Sequence, residues 1–315
     1  MAQFQWNFDA PTGVYKNHAL SRRIYSAALE KSVFMDFATP IEAFGRRMGE
    51  SITLTRISNL AEPVSADLIE GERIPEDVFS ISTRQITVNE IGRAVPFTSL
   101  ADDLSFFSLM NPIQNKLRSQ MTLVMDTKAA TAMKLAQIKY TPTGIASATI
   151  ATNGTFGATA TANMNVFHVE EIRDYMFDTL LTDPVEGGDD YIGIFRTLGL
   201  RGIKRDPAWE EWHKYTDPQA KYNGEVGRLE GIRFIETNHT RALGKVGTGS
   251  VLGEGVVFGA DALAFAEARS PELIVGVSTD YGRDRSVAWY GILSLAPIWD
   301  TGNAGEAKIV HVGSL

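Results

Sequence analysis

The chain has 315 residues, 44% of them hydrophobic and 22% charged, with no cysteine and a formal net charge of -8. That length holds roughly two domains of about 150 residues or one elaborated domain, and the composition excludes wholesale disorder and the fibrous classes. The acidity excludes a surface that binds nucleic acid all over, which needs a dense Lys and Arg footprint, while allowing a local basic face; the missing cysteines exclude disulfides, thiolate metal ligands and thiol catalysis.

In chain order, the start MAQFQWNFDAPTG lacks the basic region and apolar core of a signal peptide. No apolar run approaches the ~18 residues of a membrane helix, so synthesis in the cytosol and no membrane partner are expected. The first 50 residues mix aromatics, turn formers and the basic doublets Arg22-Arg23 and Arg46-Arg47, with one short helix predicted from about 19 to 37. They are too sparse to fold alone. Two strand-like stretches follow, SITLTRI at 51–57 and SISTRQITVNEIGRAVPF at 80–97, rich in Ile, Val and Thr and partly alternating. Between them, LAEPVSADLIEGERIPEDVF at 60–79 carries six acids, Glu62, Asp67, Glu70, Glu72, Glu76 and Asp77, against Arg73 alone. Pro63, Gly71 and Pro75 break it, and its apolar residues form only a thin scatter. A connection this long is a functional loop, a linker or an arm that orders against something else. The whole reads as a two-stranded arm with an acidic tip. An isolated strand pair is marginal in water, so the arm needs another surface to lie on.

After Thr98 the pattern turns helical with SLADDLSFFSLM, and Asn111 as N-cap with Pro112 at the first helical position opens a long helix reaching about Tyr140. Ile113, Leu117, Met121, Val124, Met125, Ala132, Leu135 and Ala136 step by three and four, marking one buried face. At 1.5 Å per residue this is a strut of roughly 40 Å. It is locally basic, with Lys116, Arg118, Lys128, Lys134 and Lys139 against Asp126 alone. A solvated face is the ordinary explanation. Residues 141–165, low in charge and rich in Gly, Ala, Thr and Asn, mark a boundary of turns and short strands. Beyond it, helix and strand alternate as in a mixed α/β domain: helix 166–182, strand 191–197, helix 199–215 with an interruption at Pro207, and strand 230–238. Residues 256–268 read as strand then helix, and 272–280, 286–299 and 307–315 as strands.

No pattern specifies enzyme chemistry. His18, His168, His213, His239 and His311 never take the i, i+4 spacing of a helical zinc pair, and Glu210, Glu211 and His213 read as a solvated helix face. DPVEGGDD at 183–190 offers carboxylates without calcium-loop spacing, and is expected to be an exposed turn. Gly247, Gly249, Gly253, Gly255 and Gly259 miss the GxGxxG pattern and are expected in turns, and Ser250 is not in a nucleophile elbow. Trp209, Trp212 and Tyr215 step by three, as core or a subunit contact would. No catalytic residue, cofactor or metal is expected.

LIEGERIPEDVFSISTRQITVNEIGRAVPFTSLADD resembles the elongated-loop region of tailed-phage major capsid proteins, in particular the enquatrovirus-type coat proteins: an EG-x-x-P turn, a strand, then a strand passing into a helix. KYNGEVGRLEGIRFIETNH at 221–239 is similar to that family's GE-x-G-x-x-x-G-x-R-F pattern, and VVFGADAL, ending at Leu263, is a third match. The order of parts agrees over nearly the whole chain. The resemblance implies an α+β protein of the Hong-Kong-97-type capsid fold. Its parts would be an N-terminal arm (1–50), an extended β-hairpin loop (51–97), a spine helix with the first part of a peripheral domain (98–165), an axial domain (166–280) and returning peripheral strands (281–315). It also implies self-assembly, as hexamers and pentamers, into an icosahedral shell around double-stranded DNA, in a virion assembled in the host cytoplasm. The implied partners are the chain itself, packaged DNA by non-specific contact, and portal, scaffolding and decoration proteins. With only about 50 residues before the loop, no long scaffolding segment is expected within the chain. The rival readings are an encapsulin-like cargo compartment and a soluble α/β enzyme with an unrecognised site.

Two expectations concern sites. Glu62, Asp67, Glu70, Glu72, Glu76 and Asp77 are expected to meet basic residues of a neighbouring subunit, with Arg22, Arg23, Arg46 and Arg47 as first candidates. Lys116 and Lys134, which point the same way along the helix, are expected to face DNA.

Overall fold

The computed structural model describes residues 29–41, 49–58, 60, 62–63, 66–68, 70–71, 73–105, 108–157, 160–185, 188–207, 209, 225–246 and 252–314. A short 3-10 turn, Phe34–Phe37, leads into β1 (Ala38–Pro40). The arm follows as β2 (Ser51–Ile57) and β3 (Ile81–Thr87), paired antiparallel from Ser51 opposite Thr87 to Ile57 opposite Ile81. The run expected as one strand over 80–97 divides at Val88, whose N–H is taken by the Glu50 carbonyl at 2.9 Å. Beyond it, β4 (Asn89–Thr98) joins a different sheet. The arm and the body therefore share one continuous ribbon.

The helical pattern after Thr98 yields only α1 (Ser99–Asp103), capped by the Thr98 hydroxyl, which accepts from Ala101 N–H at 3.2 Å. The long helix, α2 (Met110–Met133), has Leu109 as its N-cap and no side-chain cap. Asn111 is thus inside the first turn rather than at its cap, and Pro112 is tolerated there because the first N–H groups of a helix need no intrahelical acceptor. The helix also stops at Met133, short of the expected Tyr140. Residues from Ile138 onward form β5 (Ile138–Gly144), held parallel to the C-terminal strand through Ile138 opposite Val310 and Tyr140 opposite Val312. Leu135, expected on the buried face, is 63% exposed.

β5 turns into β6 (Ser147–Ala151). α3 (Val166–Asp174) runs on through a π turn, Tyr175–Thr179. Its N-terminus is a reciprocal cap: His168 N–H donates to Asn165 Oδ1 and Asn165 N–H to His168 Nδ1, both at 3.2 Å. β7 (Tyr191–Arg196) and α4 (Thr197–Lys204) follow, the latter ending before Pro207, whose ring disfavours a helical predecessor. The rest of the expected 199–215 helix beyond Trp209 lies outside the described residues. β8 (Glu225–Leu229), β9 (Ile232–Thr237), β10 (Lys245–Val246), β11 (Leu252–Phe258), β12 (Leu263–Val275), β13 (Asp284–Pro297) and β14 (Ile309–Ser314) complete the chain.

The strand β12 corrects the helix expected after Phe258. The alanines of LAFAEA favour a helix in isolation, but here the segment pairs with β1 on one side and β13 on the other, and continues through two register shifts into 272–275. Pairing over hundreds of residues of sequence overrides the local preference. Gly253 and Gly255 likewise lie within β11 rather than in a turn. A Cβ on Gly255 would sit 2.0 Å from the Phe195 ring, so the close packing of β11 on β7 needs glycine there. Gly247, Gly249 and Ser250 lie outside the described residues.

Among the described residues the result is an α+β architecture of three sheets: β1-β12-β13-β4, β6-β5-β14-β11-β7-β9-β8 with β10 on β11, and the β2-β3 pair. The large sheet is buried on both faces. Phe195, Phe234, Val257, Val310 and Val312 pack against Val169, Ile172 and Met176 of the α3 region. Ile192, Ile194, Val256, Phe258 and Ile309 face Ala129, Ala130 and Met133 at the far end of α2. The near end of α2, through Leu117, packs on Val287 and Trp289 of β13. One helix of about 36 Å, taking 1.5 Å for each of its residues, therefore ties the two larger sheets together.

Candidate assembly arm

The arm alternates with period two, as a ribbon with one covered face must. Ile52 and Leu54 from β2 and Ile86 from β3, the last 3% exposed, lie on Ala264 and Ala266 of β12 with Ile41, Ala296 and Ile298 around them. Toward the tip, charge replaces apolar contact on the same face. Arg56 donates to Asp300 at 2.6 Å and stacks over Trp299, and Arg84 reaches the other oxygen of Asp300 at 3.2 Å. Ser58 donates to Glu306 at 3.0 Å. Burial works against the Asp300 charge, but the Arg56 hydrogen bond and the fields of Arg84 and Arg56 hold its carboxyl below the usual range. The arm, expected to need another surface to lie on, thus rests its root on the body of its own chain. The small alanines of β12 leave the room for it.

Past the Ser58–Ser80 backbone hydrogen bond the situation changes. No backbone hydrogen bond joins two described residues between 60 and 79, and every described residue of that stretch is exposed. Glu62, Asp67, Glu70, Glu76 and Asp77 are among them, with Glu76 paired to Arg73 inside the loop. Glu72 lies outside the described residues, as do Arg22, Arg23, Arg46 and Arg47. The sequence reading undervalued the apolar residues of the same loop: Leu60, Leu68, Ile74, Val78 and Phe79 are all exposed, Val78 by 90% and Phe79 by 55%. Their irregular spacing gave no periodic signal. Only their exposure in the structure reveals them.

The two helix lysines are separated by their surroundings. Lys116 is exposed. Lys134 is 23% exposed, with its Nζ 3.3 Å from Glu254 Oε2, and belongs to a buried ionic cluster where α2 meets the large sheet. There Lys139 Nζ donates to the Lys134 carbonyl at 2.7 Å and lies 2.9 Å from His311 Nδ1, while His311 Nε2 lies 3.4 Å from Glu254 Oε1. Burial lowers the Lys139 pKa to about 8, with Glu254 opposing and Lys134 adding to the fall. Burial also lowers that of His311. For Glu254 burial is overcome by His311, the Gly244 N–H and Lys134, which hold it down at about 2.

A second buried carboxylate anchors the segment before β1. Asp126 of α2 accepts from the backbone N–H groups of Val33 (2.9 Å) and Phe34 (2.7 Å) and lies 2.8 Å from His239 Nδ1. Asp190, in the stretch expected as an exposed acidic turn, is buried between Arg228 (2.6 Å) and Arg233 (2.8 Å). Trp209 is core, edge-on to Phe234; Glu210, Glu211, Trp212, His213 and Tyr215 lie outside the described residues. The described histidines and buried acids are therefore engaged in structural contacts.

No protein-family model matches the sequence, and no curated protein matches it either. Solved structures do. The head structure of Helicobacter pylori bacteriophage KHP40 is similar with a TM-score of 0.72 at 14% identity, covering 99% of each chain. The capsid asymmetric unit of cyanophage Pam1 gives 0.71 at 14% identity, over 98% of this chain and 99% of that one. The capsid of Ralstonia phage GP4 gives 0.66 at 13% identity, over 99% of this chain and 98% of that one. Across nearly its whole length, the chain has the fold of tailed-phage capsid proteins.

Proposed function

We propose that this chain is a major capsid protein, which self-assembles as hexamers and pentamers into the icosahedral shell of a tailed-phage virion enclosing double-stranded DNA. The observation that carries this reading is the end-to-end likeness to phage head and capsid structures. The arm supplies the physical reason for assembly. An extended loop with exposed apolar residues gains order by lying across a neighbouring copy, and many weak contacts accumulate over a shell. In this reading the four-stranded sheet with the near half of α2 is the peripheral domain and the large sheet with α3 and α4 the axial domain, so 263–275 moves out of the expected axial range 166–280, and 138–151 and 309–314 move out of the expected peripheral ranges 98–165 and 281–315. Portal, scaffolding and decoration proteins are then the natural further partners.

Negative-stain imaging and size-exclusion chromatography of the purified chain test this. Capsomers or megadalton shells are expected. A persistent monomer or small oligomer at high concentration, under the ionic conditions in which phage shells form, would overturn the proposal.

A further inference from the structure

We infer that the cleft between α2, β4 and the 238–243 loop is a binding site for the phosphate backbone of double-stranded DNA, an assignment that rests on the capsid reading. The cleft encloses about 730 Å³ and brings together Lys116 from α2, Arg93 from β4 and Arg241 from the loop. All three are exposed, and none joins an ion pair among the described residues. The acid lining the cleft is Glu30, which faces His239 Nε2 at 3.3 Å and accepts from Thr240. Three uncommitted cations from three separate elements thus converge in a chain whose net charge is -8.

The donors present favour a polyanion over a neutral or hydroxylated ligand. The hydroxyls of Ser119 and Thr127 donate to helix carbonyls four residues back, leaving them no proton for a ligand. Gln120 accepts from Trp289 Nε1 at 3.2 Å through its carbonyl oxygen, so its amide NH2 is not used in that bond. Lys116 to Thr127 along α2 spans about 16 Å at 1.5 Å per residue, which is four to five nucleotide steps at about 3.4 Å per step of one strand. Contact would be independent of sequence and would position the duplex without specifying it.

The test uses the purified full-length chain before shell closure and a 30-base-pair duplex, with binding followed by fluorescence anisotropy across a sodium chloride series. The variant R93Q/K116Q/R241Q is compared with the charge-retaining R93K/K116R/R241K, and each is imaged for shells. Loss of three phosphate contacts should make the negative slope of log K against log salt shallower by about 2.7, while the charge-retaining variant keeps the wild-type slope and both still form shells. An unchanged slope in the Gln variant overturns the inference and leaves the capsid reading standing. Shell formation abolished with duplex binding intact also overturns it, because the cleft would then receive the acidic loop of a second copy. If the wild type itself forms no shells, it is the capsid reading that fails.

Discussion

Replacing Val78 and Phe79 by serine tests which part of the loop drives association. Full burial of such a side chain contributes about 1.5–3 kcal/mol. Val78 has 90% of its surface left to bury and Phe79 has 55%, so covering both on a neighbour is worth about 2–4 kcal/mol on that scale. At 1.4 kcal/mol per tenfold, V78S/F79S should weaken subunit association by about 30- to 700-fold. The adjacent pair Glu76 and Asp77 offers only exposed charge, about 0–1 kcal/mol each. E76Q/D77N should therefore change association by less than about thirtyfold, and even that should fade at 1 M salt, where the Debye length is about 3 Å. The assay is the midpoint of shell assembly against protein concentration, read by light scattering at low and high salt. A charge variant as damaging as V78S/F79S, or an apolar variant that assembles like the wild type, would refute the argument that apolar burial dominates.

Three further outcomes follow from the body of the molecule. Ile86→Ala should cost about 2–5 kcal/mol in urea unfolding, and should raise hydrogen exchange along 81–87 first, because Ile86 is the buried centre of the arm root. Asp126→Ala leaves the Val33 and Phe34 N–H groups without their acceptor. At about 1–3 kcal/mol for each buried donor left unsatisfied, it should lower the thermal midpoint and speed proteolysis near residue 33. Acid should loosen the junction of α2 with the large sheet in two stages. His311 has a lowered folded pKa, so its contribution is present above its ordinary value of 6.5 and is lost as the pH falls through and below that value. Glu254, lowered from 4.5 to about 2, keeps its contribution above 4.5 and loses it between 4.5 and 2. Thermal midpoints measured from pH 8 to 3 should show both declines, and His311→Gln should remove the first and weaken the second, because His311 is among the groups that hold Glu254 down.

Much of this protein is written locally. The strand at 51–57 and the strand beginning at Tyr191 follow from alternation and a short apolar run, signals that span only a few residues. The arm's acidic tip and its breakers are equally visible without any structure. What local pattern does not carry is the identity of a partner far along the chain. The alanines after Ala262 become a strand because β1 and β13 flank them, and the long helix ends at Met133 because β14 claims Ile138 to Tyr140. Sheet membership also crosses the order of the sequence: 263–275 joins 89–98 and 284–297, while 309–314 returns to the sheet of 191–196. The two lysines at 116 and 134 share a helical face, yet only their surroundings separate them, one open at a basic cleft and the other committed to Glu254. Residue type and spacing determine which elements can form; long-range pairing and burial decide which of their side chains remain free to act.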